Sequence, residues 1–208
     1  MSKRIRRGQV VFGAILSGFL ALSLSVIFFV YVIWLNGFAE SFSRLALSGN
    51  RLPVTLTVYG RTTDSVTGED TISARIDFYT AEGGVAGSAE RSWSGWELKL
   101  DCVMVAAGKG WLAFPLLAYT DETKDGHGVD LVRLYDRNNF PAIYDSSLLN
   151  RAERRSLRML FALVRTEIWM PDFLGTLRHE TVSIRSFESG AVYSLFVTRD
   201  GKLKLLTN

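Results

Sequence analysis

The chain has 208 residues, of which 48% are hydrophobic and 22% are charged, and its formal net charge is +3. Its one cysteine is Cys102, so no disulfide can form within the chain. Four of the 24 basic residues precede Gly8, which leaves 20 against 21 acidic residues, a balance that excludes the basic domain expected of a nucleic-acid-binding protein.

An uncharged apolar run covers residues 8–39, directly after a basic tail at residues 1–7. As a helix, its 32 residues measure about 48 Å, whereas the hydrocarbon core of a bilayer is about 30 Å thick. The sequence therefore predicts one transmembrane helix that acts as a signal-anchor. A cleaved signal peptide is the alternative, because Gly37-Phe38-Ala39 resembles a cleavage site, but signal peptides carry shorter apolar stretches.

The charge asymmetry around this run predicts its orientation. The basic tail favours the cytoplasmic side, which sends the chain after residue 39 across the membrane. We therefore expect a single-pass protein of the bacterial inner membrane, with a juxtamembrane segment at residues 40–53 and a periplasmic domain at residues 54–208. The lack of disulfides in that domain fits a bacterial cell envelope.

One face of the predicted membrane helix carries small residues at spacings of four, three and four: Ala14, Gly18, Ala21 and Ser25. Small residues let two helices approach closely in a bilayer. The pattern predicts a protein partner or a homo-oligomer through this helix, in addition to the surrounding lipid bilayer. The alternative is a chance alignment, since small residues are common in membrane spans.

Hydrophobic residues alternate with polar ones from Val54 onward, which is the pattern of strands with one buried face. Eight segments are predicted as strands: 54–59, 72–79, 96–104, 111–119, 129–135, 181–187, 191–198 and 202–206. Pro115 predicts an edge or a bulge in the fourth segment, and Asp200-Gly201 predicts a hairpin turn between the last two.

A helix is predicted from Ser146 to Met170. Asp145 and Ser146 offer N-caps, and Pro171 ends the helix because the residue before proline disfavours helical geometry. The apolar side of this helix is suited to cover a sheet. The fold class expected for residues 54–208 is therefore α+β, with one mostly antiparallel sheet of about eight strands packed by one long amphipathic helix.

Five arginines lie within one arc of this helix, opposite its apolar side: Arg151, Arg154, Arg155, Arg158 and Arg165. They form a candidate surface for an anionic partner, such as lipid headgroups, an acidic or phosphorylated polymer, or an acidic protein. The alternative is an ordinary solvated helix face. Glu153 and Glu167 fall instead within the apolar arc, where a carboxylate needs a partner or a raised pKa.

Two tryptophans near strand ends, Trp93 and Trp111, are candidates to line a ligand groove; the alternative is that they cap the core. The loop at residues 121–126 resembles the start of a calcium-binding loop. Val132 stands where the bidentate acid is needed, so no metal site is predicted. No cofactor is predicted either, because no phosphate-binding or cofactor motif occurs.

Catalytic signatures are scarce in this sequence. It has two histidines, no G-x-S-x-G elbow, and a cysteine on the apolar side of a strand. We therefore expect no enzyme but a membrane-anchored, non-catalytic structural, assembly or interaction component of the cell envelope. The alternatives are a membrane-tethered binding module for a small molecule or glycan and, third, a hydrolase that uses carboxylates.

Overall fold

A computed structural model of the chain describes residues 13, 15–30, 33, 50–107, 109–122, 128–166, 177–185 and 188–207. The chain divides into two compact units, Met1–Phe38 and Ala39–Asn208. In the first unit, residues 15–30 form a helix. All labelled strands and helices below belong to the second unit.

The predicted transmembrane helix is wrong for the part of the chain that the structure describes. None of the helices there is long and apolar enough to cross a membrane. This finding overturns the signal-anchor, the single-pass topology and the inner-membrane and periplasmic location that residues 8–39 predict.

The described residues of the second unit form nine strands in two antiparallel sheets, so the prediction of a single sheet is wrong. The five-stranded sheet has the order β3-β2-β1-β8-β9, and its strands are β1 (Asn50–Thr63), β2 (Asp70–Tyr79), β3 (Val85–Ser94), β8 (Ala191–Val197) and β9 (Leu203–Thr207). The four-stranded sheet has the order β6-β5-β4-β7, and its strands are β4 (Leu98–Ala107), β5 (Gly110–Thr120), β6 (Val129–Asp130) and β7 (Arg178–Ile184).

Two elements depart from the predicted strands. β3 has no hydrophobic alternation, because it is an edge strand on which only Trp93 is fully buried. The predicted strand at residues 129–135 is wrong beyond Asp130, where Val132–Tyr135 forms the short helix α1. The Asp130 carboxylate accepts the Val132 N–H at 3.0 Å, which favours a turn over a continued strand.

Both prolines that interrupt strands lie at irregularities in the ladders. The register of β1 with β8 shifts between Arg51 and Thr55, on either side of Pro53. The register of β4 with β5 shifts where Cys102 pairs with Pro115. Proline has no N–H to donate to a ladder, so it is tolerated at such positions. The predicted edge or bulge at Pro115 is therefore confirmed.

The outer edge of β5 is closed largely by tyrosine hydroxyls, since β6 pairs with only two of its residues. The Tyr144 hydroxyl accepts the Ala113 N–H at 2.7 Å and donates to the Ala113 carbonyl at 2.9 Å. The Tyr135 hydroxyl donates to the Pro115 carbonyl at 2.9 Å. Both tyrosines are buried, so these bonds satisfy main-chain groups that a further strand would otherwise satisfy.

Five aromatic side chains connect the two sheets to helix α2 (Arg151–Thr166). The Phe161 ring centroid lies 5.6 Å from that of Tyr135 and 6.1 Å from that of Phe114. Tyr135 lies 5.1 Å from Phe78 of β2, and Phe114 lies 5.3 Å from Tyr144. Aromatic pairs at these distances add to the energy of burial, so this cluster fixes α2 against both sheets.

The single long amphipathic helix predicted from residue 146 to 170 is absent from the described residues; α2 has 16 residues. It begins late because Asn150 and Glu153 form a capping box. The Asn150 side-chain oxygen accepts the Glu153 N–H, and the Glu153 carboxylate accepts the Asn150 N–H, both at 2.9 Å. This arrangement satisfies the first free donors of the helix at Asn150 rather than at Ser146.

Trp111 ties the four-stranded sheet to the turn between β8 and β9. Its indole N–H donates to the Arg199 carbonyl at 3.3 Å, and a Cβ at Gly201 would lie 2.4 Å from its ring. Gly201 also has a φ of 77°, in the left-handed region that favours glycine. The hairpin turn predicted at Asp200-Gly201 is confirmed, and its glycine is needed for both reasons.

Gly201→Ala should destabilise the protein more than Gly190→Ala. Gly190 has a similar φ of 80° but nothing within 4 Å of a new Cβ, so both variants strain the backbone and only Gly201→Ala crowds Trp111. We expect an additional loss of about 1–3 kcal/mol in the free energy of unfolding by urea. Equal losses in the two variants would contradict the packing of Trp111 on this turn.

Candidate functional site

The outer face of the four-stranded sheet carries polar side chains from β4 and β7. Because alternate residues of a strand point to opposite faces, Lys99 and Asp101 share one face of β4. Lys99 pairs with Ser183 across the ladder, and Asp101 pairs with Thr181. Residues Cys102–Val105 are buried on both faces, so the polar cluster is confined to the first half of β4.

Glu97 is the most deeply buried carboxylate in this cluster, with 4% of its side chain exposed. One of its oxygens accepts the Arg185 Nε–H at 2.9 Å, and the other lies 3.1 Å from Lys99 Nζ. The Arg185 guanidinium, with smaller contributions from Ser183 and Lys99, lowers the pKa of Glu97 from 4.5 to about 2. Glu97 is therefore ionised and paired at neutral pH, and does not act as a proton donor.

Asp101 lies between His179 and Thr181. One of its carboxylate oxygens is 3.4 Å from His179 Nδ1, and the other accepts the Thr181 hydroxyl at 3.2 Å. In a hydrolytic triad the hydroxyl donates to the imidazole, which then contacts the acid. Here the Thr181 hydroxyl donates to the Asp101 carboxylate instead. The three side chains therefore hold one another in position and do not have the bonding of a triad.

The described residues offer neither a reactive cysteine nor a group of side chains placed to bind a metal ion. Cys102 is fully buried, and burial raises the pKa of its thiol well above the ordinary value, away from the reactive thiolate. Within the described ranges, no group of three or more His, Cys, Asp or Glu side chains is placed to hold a metal ion. The expectation of no enzyme, no cofactor and no metal stays a prediction.

The five predicted arginines of α2 separate into two sets. Arg154 and Arg165 bond within the domain. Arg154 pairs with Asp145 at 2.8 Å. One Arg165 guanidinium nitrogen donates to both Asp136 and Asn139, each at 2.8 Å. These two side chains therefore hold α2 to the segment before it.

Arg151, Arg155 and Arg158 form the second set, which we call the arginine face. All three are exposed, and none makes an ion pair or a side-chain hydrogen bond with a residue that the structure describes. Spacings of four and three place them next to one another on the helix surface, over about 10 Å of its length. Met159, which sequence reasoning did not single out, lies beside them with 45% exposure.

The two tryptophans of the predicted groove lie in different sheets. Trp93 of β3 is 2% exposed, and Trp111 of β5 is half-buried against Gly201. The groove stays a prediction. Trp96, which the alternation places on the inner face, is instead 42% exposed, with the Arg185 guanidinium carbon 5.6 Å from its ring centroid.

The small residues of the predicted membrane helix lie partly within the described residues. Gly18, Ala21 and Ser25 lie in the helix at residues 15–30, where the Ser25 hydroxyl donates to the Ala21 carbonyl at 2.8 Å. A partner helix on this face stays a prediction, without the membrane setting. Three features lie outside the described residues: Ala14, Glu167 and residues 123–126 of the loop that resembles a calcium-binding loop.

No family model, curated protein or solved structure matches this chain. The functional assignment therefore depends on the geometry of the chain itself. That geometry offers two charged surfaces. The charges around Glu97 and Asp101 are bonded to one another, whereas those of the arginine face are bonded to no described residue.

Glu97→Gln should lower the melting temperature at pH 7. The pKa of Glu97 is depressed in the folded protein, so its stabilising effect is present above about pH 4.5 and is lost as the pH falls towards 2. The difference between wild type and variant should therefore shrink across that window in thermal unfolding followed by circular dichroism. Glu188→Gln, at an exposed position, serves as the control. A difference that stays constant down to pH 2 would contradict this account of Glu97.

Proposed function

We propose that the chain is a non-catalytic interaction or assembly protein that binds an acidic protein partner through the arginine face of α2. The observation that carries the proposal is a row of three exposed cations without a counter-ion among the described residues. The other two arginines of the helix have bonding partners within the domain. A row of unpaired guanidinium groups attracts carboxylates, which they bind in a two-pronged geometry.

The arginine face is unfavourable for the free protein. Like charges three and four residues apart on a helix destabilise it by about 0.2–0.5 kcal/mol per pair. Arg151 is also the first residue of α2, where the helix dipole favours an anion. An ordinary solvated face built from mixed charges would avoid both effects. An acidic partner removes them by supplying the counter-charges on binding.

Met159 supports a protein partner over a simple polyanion. Its exposed side chain lies on the same side of α2 as Arg155 and Arg158, one turn from Arg155. Methionine and arginine are both enriched in protein–protein interfaces, where apolar contacts accompany the ion pairs. A polyanion would make use of the cations but not of this thioether.

Replacing Arg151, Arg155 and Arg158 together by glutamine should weaken binding of an acidic probe. The probe is a fluorescein-labelled peptide of ten glutamates, followed by fluorescence anisotropy with the full-length protein at low salt. Three exposed ion pairs are worth about 0.6–3 kcal/mol together, so we expect a loss of about threefold to a hundredfold in affinity.

A charge-matched control separates this surface from net charge alone. Arg91, Arg199 and Lys204 are exposed residues of the five-stranded sheet and its turns, and their joint replacement by glutamine removes the same charge. We expect this variant to bind the peptide within twofold of wild type. Equal losses in the two triple variants would overturn the proposed surface.

Replacing a cation of the arginine face by an anion should raise the free energy of unfolding. Arg151→Glu places an anion in the first turn of α2 and removes one like-charge contact with Arg155, so the free energy of unfolding should rise by about 0.3–1 kcal/mol. Urea unfolding of the full-length variant measures this change. Arg91→Glu, off the helix, provides the comparison. A loss of stability in Arg151→Glu would mean that Arg151 has a structural role and would weaken the case for a binding face.

A further inference from the structure

The edge strand β3 leaves part of its main chain unpaired. It pairs with β2 on one side, and no strand in the described residues lies on its other side. Ser88, Glu90 and Ser92 in its middle are exposed. Unpaired edges of this kind are templates for a further strand, and many proteins cover them for that reason.

The alternation of the β2–β3 ladder identifies which groups are open. Opposed residues in an antiparallel ladder alternate between pairs that exchange two main-chain hydrogen bonds and pairs that exchange none. The Gly95 N–H donates to the Asp70 carbonyl at 2.7 Å. Counting back in steps of two from this pair gives the β3 residues that bond to β2: Trp93, Arg91 and Ala89. The groups of the intervening residues point to the open edge: Ser92, Glu90 and Ser88.

Side chains from other parts of the domain donate hydrogen bonds to the two ends of this edge, and they do so at carbonyl groups that the alternation predicts to point outward. The Thr120 hydroxyl donates to the Ser94 carbonyl, which belongs to the outward-pointing series. At the other end, Arg137 donates to the Val85 carbonyl at 3.0 Å. The edge is therefore open only over the three central residues, and their N–H and C=O groups bond to no described residue. An extended segment of about five residues fits this length.

A second copy of the chain does not suit this edge. Pairing two β3 strands about Glu90 places two carboxylates opposite each other, and pairing them about Arg91 opposes two guanidinium groups; both are destabilising. The symmetric registers centred on Glu90 and on Arg91 are thus disfavoured.

The side chains of the outer face indicate a different occupant. Glu90 is an exposed carboxylate whose one described hydrogen bond comes from the Tyr59 hydroxyl at 3.2 Å. Its neighbour across the ladder, Arg75, bonds to Asp77 at 2.9 Å instead. Ser88 and Ser92 flank Glu90 on the same face. A strand added here gains from a cation opposite Glu90 and from hydroxyl groups opposite the serines.

We infer that the open edge of β3 takes up an extended peptide of a partner protein, with lysine or arginine opposite Glu90 and threonine or serine two residues to either side. The main chain of Ser88, Glu90 and Ser92 supplies the hydrogen bonds, and Glu90 selects the sequence. This site is separate from the arginine face and selects a basic rather than an acidic segment.

A pair of synthetic peptides tests the inference with the full-length protein. Each is a fluorescent nine-residue strand that alternates valine with polar residues; threonines flank a central lysine in one and a central glutamate in the other. The lysine peptide should bind about tenfold tighter in fluorescence anisotropy. Glu90→Lys should reverse that preference without touching the main chain. An unchanged preference in Glu90→Lys, or equal affinities in the wild type, would overturn the inference.

The main chain is tested by Ser88→Pro, which removes one outward-pointing N–H and should abolish binding. Ser88→Thr keeps that N–H and should bind as wild type. Amide exchange by NMR shows whether Ser88→Pro is folded, since Ala89 and Arg91 should stay protected. In the wild type, the lysine peptide should slow exchange at Ser88, Glu90 and Ser92 alone. Protection centred on α2, or a dimer in sedimentation that protects β3 without peptide, would contradict the assignment.

Discussion

The edge of β5 is the constraint on which the arrangement of this domain depends. A strand with buried faces cannot leave its main-chain groups without partners. Here the Tyr144 and Tyr135 hydroxyls satisfy the groups of Ala113 and Pro115 from the side. The chain between β6 and α2 must therefore wrap around this edge. The same wrapping brings the tyrosine rings against Phe161, which fixes the direction in which α2 presents its outer face.

That constraint also explains why the two proposed surfaces differ. α2 is anchored on its inner side by aromatic packing and through Arg154 and Arg165, so its remaining arginines face outward without partners among the described residues. Among the described residues, the outer edge of β3 receives hydrogen bonds only where the wrapping segment reaches Val85 and where β5 reaches Ser94. What lies between those contacts stays open. Both surfaces therefore lie where the packing that closes the edge of β5 leaves side chains or main-chain groups without a described partner.

The sequence predicted the elements whose signal is local and missed those that depend on distant partners. Alternation found β1, β2 and β4, proline chemistry found the bulge at Pro115, and Asp200-Gly201 found its hairpin. The sequence pattern did not predict β3, because an edge strand needs little hydrophobic alternation. Dividing the strands into two sheets depends on which strands pair, and no local pattern carries that information. Asn150 and Glu153 did carry a readable capping signal, at the spacing that starts α2. The sequence predicts that the five arginines share one side of the helix. Which of them bond within the domain depends on Asp145 and Asp136, whose positions only the structure gives.

NMR of the arginine side chains tests the central claim, that the arginine face is the binding surface, most directly. The Nε–Hε signals of the five α2 arginines are followed in labelled full-length protein while the peptide of ten glutamates is added. We expect the signals of Arg151, Arg155 and Arg158 to shift in a saturable way, and those of Arg154 and Arg165 to stay in place. Shifts that centre on Arg185 and the polar cluster of β4 and β7, or that spread evenly over all arginines, would contradict the claim.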